Sequence, residues 1–147
     1  MKAFLDTNVL LDLLMKSRLG HEATTTILQV VRSGDISACM TTQSVIDAAY
    51  IQTQRCKSPV TAFKEAIRLI GNIVELLPIL PEDIEWANRS TIDDYEDAAR
   101  LSCAQRSGCD VIVTSDKKYK NYTDIAIYDP FELYSLLFSR PGQSEMG

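Results

Sequence analysis

Short, mostly apolar runs alternate along this chain with stretches whose apolar residues recur at helical spacing, and that alternation limits the available folds more than any other feature. The runs fall at residues 2–5, 36–41, 74–80, 111–114 and 123–129. They read as continuous apolar segments rather than as polar-apolar alternation, which is the pattern of strands buried on both faces. Helices on both sides of a parallel sheet, joined by right-handed crossovers, provide that burial. The expected architecture is therefore α/β: a three-layer α/β/α sandwich with a central parallel sheet of about five strands.

The intervening segments carry helix signals. Residues 8–16 place Val9, Leu10, Leu13 and Leu14 on one side, and a second helix over 21–32 stops at Ser33-Gly34. Thr41 or Thr42 can cap a helix running to about residue 55. Ser58-Pro59 starts another, with Phe63, Ala66, Ile67 and Ile70 on one face and Gly71 at its end. The 74–80 run is bounded by Pro78 and Pro81, which predicts a short strand near a sheet edge. Pro81 opens a short helix around Trp86, and Thr91-Ile92-Asp93-Asp94 precedes a helix to about residue 107 with Gly108 just past its end. A closing helix is expected over 131–138.

A chain of 147 residues suits one domain, expected over 1–138, with a frayed tail at 139–147 and no repeat or low-complexity segment. No apolar run approaches the length of a bilayer crossing, and an acid at position 6 comes too early for a secretory signal, so no membrane association and a cytoplasmic location are expected. Cys39, Cys56, Cys103 and Cys109 form no C-x-x-C pair and are expected as free thiols, mostly packed as small hydrophobes. A net charge of −5 argues against a broad basic surface for nucleic acid. It leaves room for an enzyme whose metal ions neutralise its own carboxylates and then meet phosphate.

The acids supply the functional signal. Asp6 closes the run in KAFLDTN, and Asp116 closes the one in CDVIVTSD. A carboxylate at the end of a buried strand is costly without compensation, and ligands of open α/β sheets bind at those strand ends. Asp47 and Asp97 lie early in helices that follow strands, so all four acids can converge on one rim. Oxygen-only ligands with no histidine partner fit Mg²⁺ or Mn²⁺ better than Zn²⁺. Each acid also has a plainer explanation: Asp47 and Asp97 as dipole-compensating or capping residues, and Asp6 as an N-cap accepting from the amides of Asn8 or Val9.

With these residues in view, the chain resembles the PIN-domain family, small metal-dependent nucleases that include VapC-type toxins. FLDTNVLLDLL, TTQSVIDAAYI and DDYEDAARLSCAQRSGCDVIVTSDKKY carry the resemblance, which extends over about residues 2–134. It implies that Asp6, Asp97 and Asp116 bind Mg²⁺ or Mn²⁺, with Asp47 as the second acid where the family usually has glutamate. Being one methylene shorter, Asp47 would act through a water or sit slightly back. Asp94, three residues before Asp97, is a further candidate ligand, and Asp97 is preferred because it precedes the small pair Ala98-Ala99. Thr7, Asn8 and Ser115 are candidates for hydrogen bonds that orient the carboxylates.

The implied activity is hydrolysis of RNA at internal phosphodiesters, leaving a 5′-phosphate and a 3′-hydroxyl, as the toxin of a VapBC-type toxin-antitoxin pair. The implied partners are RNA, a small antitoxin that blocks the acidic groove, and a second copy of the chain in a homodimer. Lys117 and Lys118, with Lys120, are candidates to hold phosphates near the cut; Arg55, Lys57 and Lys64 form a second basic strip. Tyr119 and Tyr122 would either stack on a base or pack. His21 is the one histidine, which excludes a two-histidine nuclease, and it is assigned no role. The alternative is a catalytically weak or inactive module of the same fold that binds RNA or a protein. A phosphorylated receiver-type domain fits poorly, since Ile79-Leu80-Pro81 offers no acid after the third strand.

Overall fold

The computed structural model describes residues 1–139; the expected tail falls, apart from Ser139, outside the described residues. In chain order the strands are β1 (Lys2–Leu5), β2 (Ser37–Thr41), β3 (Glu75–Leu77), β4 (Val111–Val113) and β5 (Ala126–Tyr128). They form one sheet of order β3-β2-β1-β4-β5 in which every neighbouring pair is parallel. β1 is central, with Phe4 opposite Cys39 on one side and Ile112 on the other. β3, the proline-bounded run, is an edge strand.

The helices are α1 (Thr7–Leu14), α2 (His21–Ser33), α3 (Thr42–Tyr50), α4 (Val60–Gly71), α5 (Pro81–Arg89), α6 (Tyr95–Arg106) and α7 (Pro130–Phe138). They cover the sheet from both faces, and the alternation of side chains along each strand decides which face each residue serves. Ala3, Leu5, Met40, Val111 and Val113 pack with Leu10, Ile27, Val31 and Leu133 of α1, α2 and α7. Phe4, Cys39, Ile112 and Ile127 point the other way, against Leu101, Cys103 and Ala104 of α6. Both faces of the strands are thus dry, as their unbroken apolar letters require. The three-layer α/β/α sandwich with a five-stranded parallel sheet is the fold observed.

Local signals place the helix ends. Thr41 Oγ1 accepts from the Ser44 amide (3.1 Å) to start α3, and Asp129 with Glu132 closes a reciprocal cap on α7. Gly34 ends α2 at φ 89°, a backbone conformation that disfavours side chains. α3 continues into one π-helical turn over Ile51–Arg55, so the segment expected to run to residue 55 changes its winding for its last five residues. The last strand is shorter than expected, because the Thr123 hydroxyl accepts from the Ile125 amide and holds a turn there. Residues 117–121 form a short 3₁₀ helix that Asp116 caps.

The α1–α2 connection is pinned. Arg18 donates to Asp12 (2.7 Å) and reaches the Asn8 carbonyl (3.4 Å), and His21 Nδ1 lies 2.8 Å from the Asp12 carbonyl. The backbone of Gly20 comes so close that a Cβ there would sit 2.3 Å from Asp12 Oδ2. Cys39, Cys103 and Cys109 are buried and Cys56 is exposed, all as free thiols. No described helix is long and apolar enough to cross a membrane.

Candidate active site

β1 is flanked by β2 and β4, and chain order reverses there, which makes the crevice at the carboxyl ends of β1 and β4 the place where such a sheet binds ligands. Asp6 stands at that point. Its amide donates to the Val113 carbonyl (3.0 Å), tying it to β4 as it leaves β1. Oδ1 of its side chain accepts from the Thr7 amide (2.8 Å); Oδ2 accepts from Thr114 Oγ1 (2.8 Å) and Asn8 Nδ2 (3.3 Å). The N-cap role and the rim position coincide in one residue, through the amide of Thr7 rather than those of Asn8 or Val9.

Thr114, fully buried at the end of β4, organises this corner. Its hydroxyl oxygen also accepts from the Asp116 amide (3.0 Å) and from Asn8 Nδ2 (3.2 Å), so one side chain links Asp6, Asn8 and Asp116. Asp116 Oδ1 accepts from the Lys118 amide (3.0 Å), leaving Oδ2 with only the Lys118 ammonium at 3.9 Å.

Asp97 enters from the first turn of α6, with its amide capped by Asp94 Oδ1 (3.1 Å). It is buried, and Tyr119 donates its hydroxyl to Oδ1 at 3.0 Å. Oδ2 is buried without any hydrogen-bond partner. Burial pushes the Asp97 carboxyl above its ordinary range, the Tyr119 hydroxyl works against that, and the neighbouring charges of Asp94, Asp6 and Asp116 push it further up. Burial, followed by the charges of Asp6 and Asp97, raises the Tyr119 phenol as well, so it stays a donor.

Arg100, one turn along α6 from Asp97, lies in the middle of the acids with 9% of its side chain exposed. Nη1 is 3.8 Å from Asp6 Oδ1 and 3.9 Å from Asp97 Oδ1; Nη2 is 3.1 Å from Asp47 Oδ2 and 3.5 Å from Glu96 Oε2. Burial opposes its charge, and Asp6, Tyr119, Glu96 and Asp47 more than restore it. Asp47 is occupied at both oxygens, since Gln43 Nε2 donates to Oδ1 at 2.9 Å. The acids therefore share one open cleft of about 520 Å³, which Asp6, Asp47, Asp94, Asp97 and Asp116 all line. Among the described residues, no three Asp, Glu, His or Cys side chains are gathered into a ready-made metal cage. Arg100 occupies the middle instead.

Other expected residues are placed differently from one another. Thr7 and Asn8 line the cleft, although the Thr7 hydroxyl pairs with Ser44 (2.8 Å) and only its amide serves Asp6. Ser115 is exposed on a neighbouring groove beside Arg18 and Phe131, and contributes its amide to Asn8 Oδ1 (3.2 Å) rather than a side chain to the carboxylates. Just past β4 the chain buries Thr114 and exposes Ser115, so the hydroxyl expected of Ser115 is supplied by Thr114. Lys117 is not free for phosphate: it is paired with Glu132 and lies 3.6 Å from Asp129. Lys118 is exposed beside Asp116. Tyr119 is buried under Asp97 and Tyr122 packs against the same core, so neither stacks on a base. From the second basic strip, only Arg55 lines the cleft, on the π-helical turn, with its guanidinium 5.9 Å from the centre of the Tyr50 ring.

A divalent cation suits what remains open. Asp97 Oδ2 is a buried acceptor lacking a donor, Asp116 Oδ2 is nearly free, and Asp6 is held beside them by Thr114. Oxygen donors of this kind suit a hard cation.

Comparison with known proteins agrees with this fold. A curated relative, Ribonuclease VapC1 of Aquifex aeolicus, is 23% identical over 125 residues, covering 80% of this chain and 83% of its own. The solved structure of VapBC2 from Rickettsia felis, bound to a DNA fragment from its promoter, superposes with a TM-score of 0.66 at 12% identity, over 88% of this chain and 98% of that one. Mycobacterium tuberculosis VapC20, described as a Sarcin-Ricin loop cleaving toxin, gives 0.63 at 14% identity, over 81% and 93%. The family model for the PIN domain matches residues 2–118, from the first strand through the acid that closes β4, and the chain belongs to the PIN-domain family.

Proposed function

We propose that this protein is a metal-dependent endoribonuclease acting as the toxin of a VapBC-type pair, in the cytoplasm. The observation that carries the reading is Asp97 Oδ2, a buried acceptor without a donor on a residue that lines the same cleft as Asp6 and Asp116. The ribonuclease and toxin-antitoxin relatives support the same reading at the level of the fold and family.

Asp6, Asp97 and Asp116 would hold Mg²⁺ or Mn²⁺, with Asp94 at the cleft edge and Asp47 acting at most through a water, because the Arg100 guanidinium already lies against it at 3.1 Å. Bound there, the ion supplies a water of lowered pKa and offsets charge on the phosphodiester. The chain's own residues do the positioning. Thr114 and Asn8 fix the rotamer of Asp6, and Tyr119 fixes that of Asp97. Arg55 and Tyr50 stand along the cleft, where a guanidinium meets a phosphate and an exposed ring meets a base. A short antitoxin that covers this groove, and a homodimer, complete the proposal.

The test is cleavage of a fluorogenic RNA with Mg²⁺ or Mn²⁺ after purification in EDTA. Metal-dependent cleavage that disappears in Asp6→Asn and Asp116→Asn supports the reading. Cleavage retained by a clean Asp116→Asn variant overturns it, and Mn²⁺ failing to bind or to activate favours a non-catalytic module.

A further inference from the structure

We propose that Arg100 is a resident cation standing where a second metal ion would otherwise balance the acids, so that the cleft takes up one divalent ion rather than two. This rests on the metal-dependent reading above and goes beyond it.

The arrangement divides the carboxylates into two groups. Toward Asp47, the guanidinium spans Asp6, Asp97, Asp47 and Glu96 at 3.1 to 3.9 Å, bringing together acids from the end of β1, from α3 and from α6. A delocalised, permanently charged group with several donors is suited to such multiple contacts. Its anchor is internal: Glu96 and Asp97 precede Arg100 by four and three residues on α6, so helical spacing alone keeps the guanidinium over them. Asp47 has no oxygen without a donor, since Gln43 holds the other one. A dication entering that side would meet the positive charge of Arg100, whose Nη2 already lies 3.1 Å from Asp47 Oδ2.

Toward Asp116 the situation is reversed. Asp97 Oδ2 has no donor, and Asp116 Oδ2 has only a distant ammonium. One buried carboxylate thus faces Arg100 with one oxygen and presents the other for an ion. The aspartate at position 47, shorter than the glutamate the family usually has, and Arg100 act as a unit that replaces one cation site with a side chain.

The experiment counts ions without reference to activity. The full chain, stripped with EDTA, is titrated with Mn²⁺ by calorimetry and followed by electron paramagnetic resonance, alongside Arg100→Gln checked for folding by circular dichroism. One ion per chain with the signal of an isolated Mn²⁺ is expected for the wild type, and a second, magnetically coupled ion for Arg100→Gln. Two coupled ions in the wild type, or one in a folded Arg100→Gln, overturn the proposal while leaving the metal reading intact. No Mn²⁺ bound by either protein overturns the metal reading and this proposal with it. Should Arg100→Gln fail to fold, the wild-type count alone decides: one isolated ion is expected, and two coupled ions overturn the proposal.

Discussion

Two buried aspartates meet arginines of the same helix, with opposite outcomes. Asp83, near the start of α5, is completely enclosed and fully served: the Leu80 amide (2.8 Å), Ser102 Oγ (2.8 Å) and Arg106 Nη2 (3.0 Å) and Nε (3.3 Å) all donate to it. Burial works against its charge, and Arg106, Leu80 and Ser102 outweigh that, so its carboxyl lies below the ordinary value. Asp97 has one donor on one oxygen, none on the other, an arginine no nearer than 3.9 Å, and a carboxyl pushed upward. Both pairs sit on α6, Arg106 at its last turn and Arg100 at its middle. The contrast teaches that a saturated carboxylate joins two helices, whereas Asp97 is left with an oxygen that its own surroundings do not satisfy.

The largest effect that would break this contrast is on activity. Asp97→Asn is expected to lower metal-dependent RNA cleavage by about a thousandfold. Because it removes one of several like charges, its urea midpoint should hold. A stability loss above about 1 kcal/mol would mean that Asp97 is structural after all. Asp83→Ala should behave in the opposite way, losing about 3 kcal/mol in urea unfolding because a buried pair is broken, with cleavage per folded molecule unchanged.

Acidity sharpens the second half. A carboxyl whose folded pKa is depressed contributes stability above its unfolded value, near 3.8, and that contribution is lost as pH falls through the folded value. The stability gap between wild type and Asp83→Asn should thus be constant above pH 3.8 and close below it, measured by urea titrations at stepped pH. A gap that widens on acidification would contradict the depressed pKa. Tyr119→Phe strips Asp97 of its single donor and is expected to weaken Mn²⁺ binding about tenfold. The smallest effect belongs to the lysines. Lys118→Ala should weaken RNA binding under about threefold and flatten its salt dependence slightly, while Lys117→Ala, whose ammonium is already paired, should leave it unchanged.

Much of this was legible in the letters. Unbroken apolar strands announced a parallel sheet, and Asp6 and Asp116 lie at strand ends where such sheets bind ligands. What sequence hid were contacts set by phase and by distant partners. An arginine on a helix reads as solvent-facing, yet Arg100 is buried; its spacing of three and four from Asp97 and Glu96 was the available clue. Thr114 and Ser115 are neighbouring hydroxyl residues just past β4, and the buried one holds Asp6. Lys117 looked free because Asp129 and Glu132, which claim it, come after another strand. Tyr119 offered no sign that its hydroxyl would serve an acid twenty-two residues earlier.

Gly20 lies outside the acidic cleft, yet its bare backbone is what lets Asp12 sit against Arg18, and Arg18 in turn grips the Asn8 carbonyl in the first turn of the helix that Asp6 caps. A single added methyl at position 20 would therefore push on Asp12 and, through Arg18, on the first turn of α1 behind Asp6, from a place that lines no part of the acidic cleft.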